Sequence, residues 1–391
     1  MSKMSRKKRA QLNKRRLVSI LFVVAFALIM IANLVIPDRV HAGKEYRDLA
    51  QKPKLSGQAL IDGTYMDDFE SYLTDQFNGH NKLTRLRARV SLLLGIRKTN
   101  GVYKGKHGYL LEEIKPIDEE QMQQTVTAMQ EFERNYPTVP MYVALVPNAA
   151  SILKDQLPSH VRVLDQNAQF DEIYGMLASD FKTIDLFETM LAHRDEAVYY
   201  HTDEHWTSLG TYYAYNTLLD QLDLNQDLAI AYNTYAVSND FTGSMAGLSG
   251  YERTYRDNIY IYNASNDGSA IKVVVDASDV EEDVATLYDN QKLDTENQYR
   301  LFLGGDHPFV SIRTDADSSD KLLLVKNSFA NSLVPFLTPF YREIVMVDPD
   351  YYTENLNNLM KEYKFNKVLF LFDGNSFVEN TTLAGVLANN D

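Results

Sequence analysis

The sequence predicts an α/β layered domain with a parallel sheet, a β-rich insertion at about 230–309 and one membrane-spanning helix ahead of it. Three observations carry that expectation. Short apolar runs such as Met141–Val146, closed by Pro147-Asn148, read as strands buried on both faces of a parallel sheet. Segments with apolar residues at helical spacing alternate with those runs. Leu17 to Ile36 runs without a charge to Pro37-Asp38-Arg39 and, at 1.5 Å per residue, spans roughly 30 Å, the hydrocarbon core of a bilayer.

The 391 residues divide on this reading into a basic cytoplasmic tip (1–16), an anchor (17–37), a stalk with a juxtamembrane helix (38–100) and a large domain (101–391). The tip holds eight of the 39 basic residues and no acid, leaving 31 bases against 53 acids for everything else. Basic residues before the span stay on the cytoplasmic side and put residues 38–391 outside. Val40-His41-Ala42 offers a cleavage site for the rival signal-peptide reading, but the long apolar run and the charged gap before Ala42 favour a retained anchor. An acidic body excludes general nucleic-acid binding, which needs a basic face. With no cysteine, thiol nucleophiles, disulfides and cysteine-ligated metals are also excluded. A cysteine-free exported chain with an acidic body suits a Gram-positive cell surface.

Along the exported part, Asp67, Phe69, Tyr72, Leu73 and Phe77, then Leu83, Leu86, Val90, Leu93 and Leu94, follow helical spacing. Arg85, Arg87, Arg89 and Arg97 read as solvated decoration of a helix laying that apolar stripe on the domain. Val102–Leu111 reads as a hairpin with glycines at its turns. Asp118 caps a helix through Met122, Val126, Met129 and Phe132. A helix around Ala168–Leu177 leads to a strand at Thr183–Phe187. Later strands are Leu322–Val325, Glu343–Val347 and Val368–Phe372, with a helix near Asn355–Tyr363.

Two segments carry candidate chemistry: Tyr199 to Thr207 (YYHTDEHWT) and Leu322 to Ser332 (LLLVKNSFANS). If the first is extended, Asp203 and His205 share a face, so the carboxylate can fix the imidazole tautomer while the other ring nitrogen meets a cleft. Thr207 caps the helix that follows, and Trp206 reads as a packing residue. Ser328 follows an apolar strand and opens a helix over Ser328–Val334, ahead of Pro335. That position resembles a nucleophile elbow, although no G-x-S-x-G is present, and the N–H of Phe329 could stabilise an oxyanion. The plain alternatives are a serine N-cap and a chance D-x-H. A sharper rival is a facial metal site, because in a strand His201, Asp203 and His205 all point one way. On the residues alone, the triad and the metal site stand level.

Several motifs in fixed order resemble the DHHW family of exported bacterial proteins, relatives of the alginate O-acetylation proteins of the AlgJ and AlgX type. They are Thr74-Asp75-Gln76-Phe77, Asn100-Gly101-Val102-Tyr103 with Gly105, Gly108, Tyr109 and Leu110, Val146-Pro147-Asn148, Thr202 to Thr207, Phe302 to Pro308, Asn327-Ser328-Phe329-Ala330 and Val334 to Leu337. The resemblance covers nearly the whole exported chain. It implies an SGNH-hydrolase-like domain with Ser328 as nucleophile, His205 as base and Asp203 as its orienting partner, and no cofactor. It also implies O-acetyl transfer to, or acetyl-ester cleavage on, a cell-surface polysaccharide, with an acyl donor supplied by a membrane protein of the MBOAT class. Backbone groups of Gly305 and Asp306 would add oxyanion donors to that of Phe329. Where the family pattern often has Asp-His-His-Trp and Asp-Ser-Phe, this chain has Asp203-Glu204-His205-Trp206 and Asn327-Ser328-Phe329. Alternation points Glu204 away from the site. A carboxylate at Asp306 cannot itself donate to an oxyanion. A catalytically silent glycan-binding protein, using some of the 25 tyrosines, is the alternative from another class.

Overall fold

The computed structural model describes residues 13–24, 27, 35–40, 49–77, 79–225, 227–228, 230–251, 255–266, 269–277 and 286–388. Among these, no helix is long and apolar enough to cross a membrane. The span expected at 17–36 lies partly outside the described residues. Its described stretch 17–24 is helical, with Leu17, Ile20, Leu21 and Phe22 exposed. Most of the basic tip lies outside them too.

The chain divides into two compact units at Leu86/Arg87. The first holds α1 (Gly57–Ile61) and α2 (Thr64–Asp75), and the boundary falls within α3 (His80–Leu93). The helical spacing read from Asp67 onward is therefore split between α2 and α3. The stripe expected to pack on the domain stays exposed: Leu83, Leu86, Val90, Leu93 and Leu94 face out. Thr84 and Ala88 are the buried positions of α3, because small side chains let a helix approach closely. Ala88 joins a small apolar cluster with Val102, Leu110, Met245, Ala246 and Tyr251.

The second unit begins with a small antiparallel sheet, β1 (Lys98–Thr99), β2 (Val102–Lys104) and β3 (Leu110–Glu112). Gly108, at φ 93°, supplies a left-handed turn in the expected hairpin. There follow α4 (Glu119–Asn135, capped by Asp118), β4 (Met141–Val146), α5 (Ala149–Ile152), α6 (Gln166–Leu177), β5 (Lys182–Asp185), α7 (Phe187–Ala192) and α8 (Ser208–Gln221). Next come β6 (Ile230–Phe241), α9 (Ser244–Ser249), β7 (Asp257–Asn266), β8 (Ser269–Ala270), β9 (Val273–Ala277), β10 (Phe309–Thr314), β11 (Lys321–Lys326) and α10 (Phe329–Leu337). The chain closes through β12 (Glu343–Val347), α11 (Leu356–Tyr363), β13 (Lys367–Asp373), α12 (Gly374–Glu379) and α13 (Leu383–Leu387).

The central sheet has seven strands in the order β5-β4-β13-β11-β12-β10-β9. The first five run parallel, and β10 and β9 add antiparallel at one edge. Every residue of β4 is buried, as are Leu322–Val325 and Val368–Asp373, so both faces need cover. One helix group (α4, α6, α11, α13) and a second (α7, α8, α10) supply it, each packing within itself.

The β-rich segment behaves in two ways. β6, β7 and β8 form a separate antiparallel ribbon, as an insertion would. β9, however, pairs with β10 and belongs to the core sheet, a long-range register that local pattern does not encode. The helix after Ser328 also runs through Pro335 instead of stopping before it. All nine of its residues are buried, and that packing outweighs the roughly 3 kcal/mol a helix-interior proline costs.

Parallel pairing brings the carboxyl ends of β4, β13 and β11 side by side: Val146 sits opposite Asp373, and Leu371 opposite Lys326. In open α/β sheets, this edge is where ligands bind.

Candidate active site

Ser328 emerges from the end of β11 at the first turn of α10, with φ −55° and ψ −24°. This is ordinary right-handed backbone, without the strain of a nucleophile elbow. Its side chain makes no capping bond to the helix. Instead, its Oγ lies 2.7 Å from His205 Nε2, and His205 Nδ1 lies 2.5 Å from Asp203 Oδ1. A carboxylate only accepts, so in the neutral ring the proton sits on Nδ1 and Nε2 accepts from the serine hydroxyl. Asp203 and His205 are buried, whereas Ser328 is partly exposed. The structure thus brings Ser328 to an Asp203–His205 pair that lies more than a hundred positions earlier in the sequence.

The segment carrying the histidine is not a strand. A single antiparallel bridge between Tyr199 and Trp206 closes a loop, with Thr207 N–H donating to the Val198 carbonyl at 2.9 Å. Asp203 and His205 face each other across that loop because Asp203 Oδ1 also accepts the His205 backbone N–H at 3.2 Å. Asp203 Oδ2 accepts from Ser244 N–H at 3.0 Å, at the start of α9. Trp206 is fully buried and donates its indole N–H to the Phe329 carbonyl (3.1 Å) and to Ser332 Oγ (2.9 Å), tying the histidine loop to α10. Thr207 caps α8 as expected.

Because the segment is looped, His201 does not join Asp203 and His205. Its Nδ1 lies 2.8 Å from Asp257 Oδ1, and its ring stacks between Tyr109 and Tyr255 at 3.9 and 3.5 Å. The facial metal trio His201–Asp203–His205 is therefore not assembled. Among the described residues, Asp203, Glu204 and His205 are the one group with ligand atoms close enough to hold an ion. Both ring nitrogens of His205 and both oxygens of Asp203 are already engaged in hydrogen bonds.

Glu204 also departs from its expected orientation. Its Oε1 lies 3.9 Å from His205 Nδ1, and its other oxygen accepts from Ser244 Oγ. Burial and then the Asp203 charge push its carboxyl up to about 7. Glu112, near Asn148, is raised to about 8 by burial and by Asp373 and Glu204. Burial alone would lower His205, but Asp203, with Glu204 and Asp306, overrides it and raises the imidazole to about 9.

Of the expected oxyanion donors, the Phe329 N–H has one long contact, 3.4 Å to Asn327 Oδ1, at the positive end of α10. The Gly305 N–H is already engaged, closing a turn on the Phe302 carbonyl at 3.1 Å. That turn passes through Leu303, Gly304 and Gly305, all at positive φ, and delivers the Asp306 side chain to Asn331 Nδ2 (2.9 Å) and Lys326 Nζ (3.4 Å). Lys326 also reaches Asp348 Oδ2 at 3.0 Å.

The family model described as DHHW protein matches residues 117–347, more than half of the chain. The chain belongs to the DHHW family. Solved structures similar to it include a DHHW family protein from Eubacterium siraeum, at TM-score 0.61 and 23% identity over 73% of this chain and 95% of that one. Bacillus cereus PatB1 with a sulfonyl adduct gives 0.59 and 19% identity over 72% and 96%. The O-acetyltransferase domain of Pseudomonas putida AlgJ gives 0.47 and 16% identity over 72% and 93%. The first two share this mixed α/β, mostly parallel-sheet fold. No curated protein matches the chain.

In this DHHW chain, several supporting residues lie outside the motifs singled out above. Tyr299 stacks on the His205 ring at 3.8 Å. Asp373 receives Asn148 Nδ2 and Asn327 Nδ2, each at 2.8 Å, and so braces two strand ends beside the serine. Gly243 donates its N–H to Thr202 Oγ1 at 2.9 Å, and a Cβ there would overlap Asp203. Gly243→Ala is expected to displace Asp203 and lower kcat/KM for an ester substrate about 100-fold, with KM little changed.

A histidine acting as a base must be neutral to take a proton, so any turnover that runs through His205 is expected to rise with pH towards about 9. Glu204→Gln removes one of the charges holding the imidazolium. Its rate-against-pH limb is expected about one unit lower, so it outpaces the parent at neutral pH.

Proposed function

We propose that this protein is an extracytoplasmic O-acyltransferase or acetylesterase, an SGNH-hydrolase-like enzyme acting on acetyl groups of a cell-surface polysaccharide. The observation that carries the reading is the unbroken hydrogen-bond chain Asp203–His205–Ser328, ending on a serine that solvent can reach. His205 Nε2 takes the hydroxyl proton as Ser328 Oγ bonds to the acyl carbonyl carbon, and Asp203 steadies the imidazolium. The carbonyl oxygen becomes an oxyanion facing the Phe329 N–H, with the Asp306 backbone N–H as a second donor. As the tetrahedral centre collapses, the bond to the donor alcohol breaks and His205 returns its proton to that alcohol. The acyl group is then held as a serine ester. In the second half His205 deprotonates a sugar hydroxyl, which takes the acyl group as the ester bond to Ser328 Oγ breaks and His205 returns the proton to that oxygen. Water in place of the sugar makes the reaction an ester hydrolysis.

In this reading, residues 17–36 anchor the chain with the basic tip inside, at a Gram-positive cell surface. A membrane protein of the MBOAT class supplies the acyl donor. The test is to incubate the protein with an activated acetyl ester and oligosaccharides from the cell envelope. Acetylated oligosaccharide by mass spectrometry supports transfer, and free acetate alone supports hydrolysis. Turnover abolished by a chelator would contradict both.

A further inference from the structure

We propose that α3 lies on an anionic lipid bilayer, with its exposed leucine stripe in the acyl boundary and its basic residues on the headgroups. At about 100° per residue, Leu83, Leu86, Val90, Leu93 and Leu94 fall within an arc of about 100°. Their exposures are 55, 56, 45, 86 and 72%. Leu94 keeps helical register, donating to the Val90 carbonyl at 3.1 Å. Arg87 borders the stripe on one side, Lys82 and Arg89 on the other, and Arg85 lies further round. His80–Leu93 contains no Asp or Glu, in a chain whose acids otherwise outnumber its bases.

The opposite face is already used. Ala88 is buried against Val102, Leu110, Met245, Ala246 and Tyr251, with Leu92 packed at its side. Ala88 is thus packed within the second unit while the apolar stripe of the helix is left outward. A continuous apolar stripe flanked by bases is the pattern of an interfacial helix, in which the apolar side enters the acyl boundary and the bases meet lipid phosphates. This charge complementarity selects an anionic bilayer as the occupant. The inference rests on the anchor proposed at 17–36, which keeps α3 near a membrane.

The chain has no cysteine, so single-cysteine variants of the full-length protein report unambiguously. Leu86→Cys, Val90→Cys, Leu93→Cys and Arg85→Cys, each with an environment-sensitive fluorophore, would be reconstituted in phosphatidylglycerol–phosphatidylcholine vesicles with shallow doxyl-lipid quenchers. Circular dichroism of each variant checks the fold. The three stripe positions are expected to be quenched several-fold more than Arg85→Cys. Adding Lys82→Glu, Arg87→Glu and Arg89→Glu should reduce that quenching by at least half. Protein that floats with the vesicles but shows stripe probes as water-exposed as the Arg85 probe overturns this inference alone. Protein that fails to float overturns the anchor reading as well.

Discussion

Ser328→Ala is expected to lower kcat for an activated acetyl ester by about 10⁴-fold or more while leaving the fold unchanged. The Ser328 hydroxyl is the group within 2.7 Å of His205 Nε2, so its removal takes away the atom that would form the acyl bond. The stability cost is small because the side chain caps nothing and is partly exposed. The midpoint of thermal unfolding should therefore move by only a few degrees, and chelator should affect neither parent nor variant. His205→Ala is expected to match it in loss, since members of such a unit are not additive. Unchanged turnover in Ser328→Ala would contradict the triad.

Lys326→Met is expected to destabilise the protein by about 3–5 kcal/mol. Lys326 is 1% exposed at the end of β11, two residues before the serine, and its ammonium lies between Asp348 and Asp306. Burial lowers a lysine's affinity for its proton, but here the two carboxylates raise it, so the group stays charged. Desolvation opposes ionisation of Asp306, and Lys326 and Asn331 overcome it, holding that carboxyl below its usual range. Methionine fills most of the volume but leaves the buried Asp348 and the partly exposed Asp306 without the lysine's charge. They then bind protons more tightly folded than unfolded, so stability falls as pH rises above the ordinary carboxylate range and recovers as pH drops. Denaturant unfolding at pH 5 and pH 8 checks this, with the larger deficit expected at pH 8.

Local chemistry made much of the fold legible. β4 matches its predicted bounds because a run buried on both faces has no competing pattern, and Asp118 caps α4 because the cap bond spans only three residues. Ser328, His205 and Asp203 were legible as candidates, but their meeting was not, because the loop at 199–206 is set by one bridge and by contacts to α9 and α10. Alternation failed for Glu204 and His201 for the same reason. The supports at Asp373, Tyr299 and Gly243 are long-range partners and carry no local signal. Lys326 did carry one: a lysine ending an apolar strand needs buried acids to pair with. The stripe of α3 was legible as a stripe, but spacing alone does not say which face of a helix meets the domain.

In the proposed reaction an acyl group passes through the Ser328 oxygen. Intact-mass spectrometry of the protein after rapid exposure to an activated acetyl ester, followed by peptide mapping, tests it directly. One acetyl adduct is expected on the peptide bearing Ser328, absent in Ser328→Ala. An adduct that survives in Ser328→Ala, or ester consumed at the full rate with no acetyl on this serine at any time point, would contradict it.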